Sequence, residues 1–187
     1  MSGEQTKNKP AEASAASADL LIDAFGRIKE EVHSVAEGLT VEQSVHRVDP
    51  DANSIAWLLW HLSRVQDDHI AAAAGIEQVW TAQGWADRFG LPFEPKVLGY
   101  GQSSAEVGAV RVESIDLFKG YQDAVYEQTV GYIAGLAGTD FARVVDERWD
   151  PPVTLGVRIV SVISDGLQHV GQAAIIRGIV ERTTDGR

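Results

Sequence analysis

Residues 155–180 read LGVRIVSVISDGLQHVGQAAIIRGIV, a run with no proline and one acidic residue. Within it Ile159, Val162, Asp165, His169, Ala173 and Ile176 recur at steps of three and four, the spacing that stacks side chains on one face of an α-helix. The stretch therefore reads as a bundle helix whose buried stripe is interrupted twice, by a carboxylate and an imidazole four residues apart. Burying such groups among Ile and Val is unfavourable by several kcal/mol unless something compensates. A divalent cation held by both is such a compensator.

The surrounding sequence supplies three more helices of the same kind. Pro151 and Pro152 break the chain before Thr154, which can cap the helix just described. In 19–38 the apolar residues Leu21, Phe25, Ile28, Val32 and Val35 form a seam that ends near Gly38. Asn53 or Ser54 can cap a second helix through Ile55, Leu58, Leu59, Leu62 and Val65, stopped at Gly75 and carrying His61. Ser103 and Glu106 fit a capping box, and after a restart near 112–114 a third helix presents Leu117, Tyr121, Val125, Gln128, Tyr132 and Leu136. Residues 76–102 hold Trp80, Trp85, Phe89, Leu91, Phe93 and Tyr100 among glycines and prolines, which predicts an ordered connection packed over one end of the bundle. With no strand in view, the expectation is an all-α four-helix bundle of one domain, 17–183, behind a disordered tail at 1–16.

Sixteen basic and 27 acidic residues give a net charge of −11, which argues against nucleic acid and against an anionic membrane as partners. No run of about 18 uninterrupted apolar residues offers a membrane span, and residues 1–18 lack a signal-peptide core, so a cytoplasmic chain is expected. Without cysteine, neither a thiolate ligand nor a Cys nucleophile can come from the chain itself. A metal must use His, Asp or Glu.

His61 from the second helix, with Asp165 and His169 from the last, makes a three-ligand set that leaves a coordination position open. The competing account is a core His61 hydrogen-bonded to Asp165 with no metal, since Asp-x3-His is a short pattern. His69 lies eight residues beyond His61, about 12 Å along the axis, too far to share the ion. His33 and His46 read as surface residues, and Asp67 and Asp68 as a solvated face. Trp57, one turn before His61, can wall a pocket, whereas Tyr121 and Tyr126 read as core or helix-surface residues. No G-x-S-x-G elbow is present, and the glycines at 99 and 101 lack the spacing and the Lys of a phosphate loop.

The stretches NSIAWLLWHLSRVQDDHI (53–70) and WDPPVTLGVRIVSVISDGLQHVGQAAIIRG (149–178) resemble the DinB-like superfamily. Within it they resemble the actinobacterial branch related to the metal-binding domain of mycothiol-dependent maleylpyruvate isomerase. The resemblance implies an up-down-down-up bundle with a long connection between its second and third helices, and three metal ligands matching His61, Asp165 and His169. The middle ligand is often His and in the isomerase Glu, so Asp165 is a shorter acidic variant. The implied cofactor is a divalent metal, zinc first, with nickel, iron or manganese also compatible. The implied activity is that of a metal-dependent transferase in which the metal activates a low-molecular-weight thiol, mycothiol, for attack on an electrophile. A non-catalytic metal- or small-molecule-binding member and a metal-assisted hydrolase are the alternatives. A homodimer is expected, because DinB-like bundles commonly pair and five Trp exceed what the seams require.

Overall fold

The hydroxyl of Ser54 accepts the amide of Trp57 and starts α3 (Ile55–Ala74), which Gly75 closes in the left-handed region at φ 69°. In the computed structural model, which describes residues 9–184, this helix packs on α7 (Asp116–Ala134) and α8 (Leu155–Thr184), and α1 (Lys9–Ala36) packs on both of those in turn. Shorter elements lie between: α2 (Val41–Ser44), α4 (Val79–Ala82), α5 (Trp85–Phe89), α6 (Ser104–Gly108), a 3-10 turn (Gly138–Ala142) and the strands β1 (Val144–Asp146) and β2 (Val153–Thr154).

Side-chain pairings fix the helix directions. Ile28 meets Gly166, and Arg177 bonds the carbonyl of Val35, so α1 and α8 run parallel. Tyr126 lies at Gly26 and His33 at Asp123, so α1 and α7 are antiparallel. His61 meets His169 while His69 meets Arg158, which sets α3 antiparallel to α8. Ser63 with Gln122, Gln66 with Thr129 and Ala73 with Tyr132 make α3 and α7 parallel. The topology is up-down-down-up, an all-α four-helix bundle of DinB-like form.

The apolar seams meet as the spacing predicts. Phe25, Ile28 and Val32 of α1, Leu58, Leu59 and Leu62 of α3, and Ile159, Val162 and Ala173 of α8 are all buried. Across the α3–α7 contact, Ser63, Gln66, Gln122 and Thr129 form a buried hydrogen-bonded chain, each side chain satisfied by the next. By length and composition α8 could cross a membrane; one face of it packs on α3 and α1, and 33% of its apolar window is buried.

Four expectations are corrected. Part of the stretch expected as a tail at 1–16 is helical from Lys9, because Ala11, Ala13, Ala15 and Ala16 behind Pro10 favour a helix by propensity even without an apolar seam. Residues 1–8 lie outside the described residues. The Ser103–Glu106 capping box starts α6 alone; α7 begins later, at Asp116. A small antiparallel ribbon, β1 with β2, exists where no strand was expected, with Val144 opposite Thr154. The pair is too short for an alternating pattern to register, and Arg158 of α8 pins it through Asp146 at 2.9 Å. Asp67, expected to be solvated, is wholly buried.

Candidate metal centre

His61, Asp165 and His169 converge: one ligand atom from each can be chosen so that all lie within 4.8 Å of one another. The two imidazoles meet edge to face at 4.8 Å between centroids. His61 is 2% exposed, and the side chains of His169 and Asp165 are 18% and 23% exposed, so the centre is sealed on the α3 side and reachable from α8.

Each ring is oriented by a carbonyl. Nδ1 of His61 contacts the carbonyl oxygen of Leu98, and Nδ1 of His169 contacts that of Asp165 at 2.8 Å. A carbonyl oxygen can only accept, so both Nδ1 atoms carry hydrogen, and in the neutral form of each ring Nε2 keeps the lone pair a metal requires. Asp165 Oδ2 lies 3.3 Å from His169 Nδ1, whose hydrogen is committed to the carbonyl; this buried oxygen has no hydrogen-bond partner. Two imidazole lone pairs and an orphaned carboxylate oxygen at one point fit a divalent cation. The metal-free alternative, His61 bonded to Asp165, is not what the structure shows.

Electrostatics separate the two rings. Burial lowers the pKa of His61, and the neighbouring His169 lowers it further against the pull of the Leu98 carbonyl and Asp165. Burial acts the same way on His169, but the Asp165 side chain, carbonyl and charge outweigh it, and its pKa is raised.

A segment of the long connection straps this site to α3. Arg64 donates to the Pro95 carbonyl, His61 to that of Leu98, and the Trp57 indole to Gln102 Oε1 at 2.6 Å, so residues 95–102 run antiparallel along the helix. Trp57 stacks on His61 at 4.4 Å and Tyr100 stands edge-on to it at 5.0 Å, walling the mouth. Gln102 Nε2 is buried without a partner.

Sequence reading missed Gly99 and Asp67. Gly99 has φ 108°, and a Cβ there would stand 2.7 Å from His61 Nδ1. Its signal was a glycine inside an aromatic segment, overlooked because the test applied was for phosphate. Asp67 accepts the amides of Val79 and Trp80 and the hydroxyl of Tyr121, anchoring the start of the connection. Trp60, Arg64, Asp67 and Ala71 share one face at steps of four, three and four, which could have placed Asp67 inside. His69 stays outside the site beside Arg158, His46 is exposed, and His33 pairs with Asp123 at 2.7 Å.

Bundle topology and a three-donor centre shared between α3 and α8 define a DinB-like protein. The chain belongs to the mycothiol S-transferase family, whose model matches residues 20–182. Among solved structures it is similar to a conserved protein from Enterococcus faecalis, with 28% identity over 90% of this chain and 97% of that one and a TM-score of 0.81. No curated protein matches the chain.

Proposed function

We propose that this protein is a metal-dependent thiol S-transferase, in which His61, Asp165 and His169 hold a divalent metal and mycothiol is the thiol cosubstrate. The observation that carries the reading is the convergence of one possible ligand atom each from His61, Asp165 and His169 within 4.8 Å, together with a buried Oδ2 of Asp165 that has no hydrogen-bond partner. When bound, the metal supplies a Lewis acid that favours thiolate over thiol at neutral pH.

The chain's own residues do the rest. Two neutral imidazoles and one carboxylate would hold a divalent metal with one positive charge left over, a charge that would favour an anionic sulfur. The chain has no Cys, so the sulfur must come from the cosubstrate. Trp57 and the strap close the α3 side against water, and the exposed Tyr100, edge-on to His61, offers a phenol beside the centre for a polar, sugar-like body. In the transfer the thiol proton leaves to solvent, sulfur bonds to the electrophilic carbon, and the leaving group departs with the electron pair of the broken bond.

We place the protein in the cytoplasm as a homodimer, with no nucleic-acid or membrane partner. The dimer reading is supported by α8, whose Val157, Val160, Leu167 and Ile175 are 58%, 60%, 45% and 67% exposed. With Ser164 and Gly171 they recur every three or four residues without a charge, a seam that a second copy of the same helix fits.

The function is tested with cobalt-substituted protein. Adding mycothiol is expected to produce a sulfur-to-cobalt charge-transfer band, and His61→Ala is expected to lose both the band and transferase activity. No spectral change at millimolar thiol, with cobalt confirmed in the site, would overturn the reading.

A further inference from the structure

A cavity of about 300 Å³ lies beneath the connection, walled by Trp60, Trp80, Leu91, Phe93 and Val97, with Asp87 and Glu94 among its lining. None of the three metal-site residues lines it. Trp60 and Trp80 are 1% and 3% exposed, and neither indole Nε1 has an acceptor. Arg64, wholly buried with its guanidinium 4.9 Å over the Trp80 ring, also has an unpartnered Nε. Of the five buried side-chain polar atoms without a partner among the described residues, two belong to lining residues of this cavity, Trp60 and Trp80; a third belongs to Arg64, which does not line it but packs on the Trp80 ring. A buried donor without an acceptor is costly, so the two indoles mark a place where an acceptor belongs. The carbonyl of Pro95, another lining residue, already accepts from Arg64.

We propose that this cavity is a second ligand pocket, for a small uncharged molecule with an apolar body and a carbonyl-type hydrogen-bond acceptor. The walls are aromatic and aliphatic, which selects the body. The unpaired indoles select the acceptor. Asp87 and Glu94, exposed among the lining residues, repel an anion, and a cation without an acceptor would leave both indole N–H groups unpaired. A neutral amide or ketone meets neither penalty.

The test follows the indole N–H resonances of the full-length protein, with acetanilide as the probe, ethylbenzene as the body without an acceptor and benzoate as the charged analogue. Acetanilide is expected to shift the Trp60 and Trp80 signals saturably and leave the exposed Trp149 unchanged. Ethylbenzene is expected to bind at least about threefold more weakly, the value of one lost hydrogen bond, and benzoate more weakly than acetanilide. Leu91→Trp, which fills the cavity, abolishes the response, and Trp80→Phe, which keeps the ring and removes the donor, weakens it about three- to tenfold. The proposal is overturned if no probe shifts either indole at millimolar concentration and both contact only ordered water. A response that survives Leu91→Trp, or benzoate binding tighter than acetanilide, also overturns it.

Discussion

Gly99 brings its bare Cα so close to His61 that a methyl group there would stand 2.7 Å from Nδ1 and 3.0 Å from the Trp57 ring. Both neighbours are packed rings, and at φ 108° an L side chain is strained in any case. Gly99→Ala is therefore expected to push the strap off α3 and release His61 from the Leu98 carbonyl. Metal affinity should fall about 10- to 100-fold, the usual effect of losing a partner that orients a ligand, as read by competition with a chromogenic chelator.

Removing the third donor is more severe. His169→Ala should abolish metal retention through gel filtration, measured by elemental analysis, because one imidazole and one carboxylate remain. In the wild-type protein a chelator should lower the thermal midpoint, and saturating metal at about 100 times its Kd should restore about 2.7 kcal/mol of stability. Metal addition that leaves the midpoint of wild-type protein unmoved would sink this expectation.

Acid should displace the metal in a definite order. A metal binds neutral imidazole, so protons compete wherever the metal-free ring takes one up. His169, held above the ordinary histidine value of about 6.5 by Asp165, takes its proton first; burial keeps His61 neutral to lower pH. In the metal-free fold the raised His169 adds stability below about pH 6.5 that is lost as pH rises through its folded value, while the lowered His61 subtracts stability as pH falls below about 6.5. As pH falls, metal affinity should thus begin to weaken while the pH is still above 6.5, and Asp165→Asn should move that onset to lower pH, by titration calorimetry across pH.

Asp67 is a buried anchor, so its removal should be felt globally. Asp67→Ala leaves the amides of Val79 and Trp80, the Tyr121 hydroxyl and the Arg64 cation without their acceptor. A loss of about 3–5 kcal/mol is expected in denaturant unfolding.

If two copies pair through α8, charge in its exposed seam should separate them. Val160→Glu with Leu167→Glu is expected to convert a dimer into a 20.2 kDa monomer by sedimentation, with helical content unchanged. A wild-type protein that sediments only as the monomer at micromolar concentration removes the dimer reading.

The helices, their seams and the convergence of His61, Asp165 and His169 were legible because each rests on period: Ile159 to Ile176 at helical steps, Ser54 and Gly75 at the ends of one run. The strap and the cavity were not. Leu98 serves through its carbonyl, which any residue possesses, and Gly99 through an absent side chain, so neither carries a residue-type signature. Trp60 and Trp80 were readable as core, but unpaired indole nitrogens become visible only when every neighbouring acceptor has been placed. Asp67 was misread for a different reason: beside Asp68 it looked like surface charge, although the face it shares with Trp60, Arg64 and Ala71 is one that α3 buries.

Because α3 and α7 run parallel, the chain leaving Gly75 must climb back along the bundle before α7 can begin, a return of about 30 Å for a helix the length of α3. Its route passes His61 near the end of the climb, and the carbonyl that selects the ring's tautomer lies on that route. The centre is therefore assembled only when the crossing is complete: a chain with four formed helices and an undocked strap has the three donors but no fixed Nε2. If the centre takes up a metal, its uptake would report on the docking of this strap, and amide exchange at residues 95–102 should slow on metal addition even though none of them is among the three converging residues.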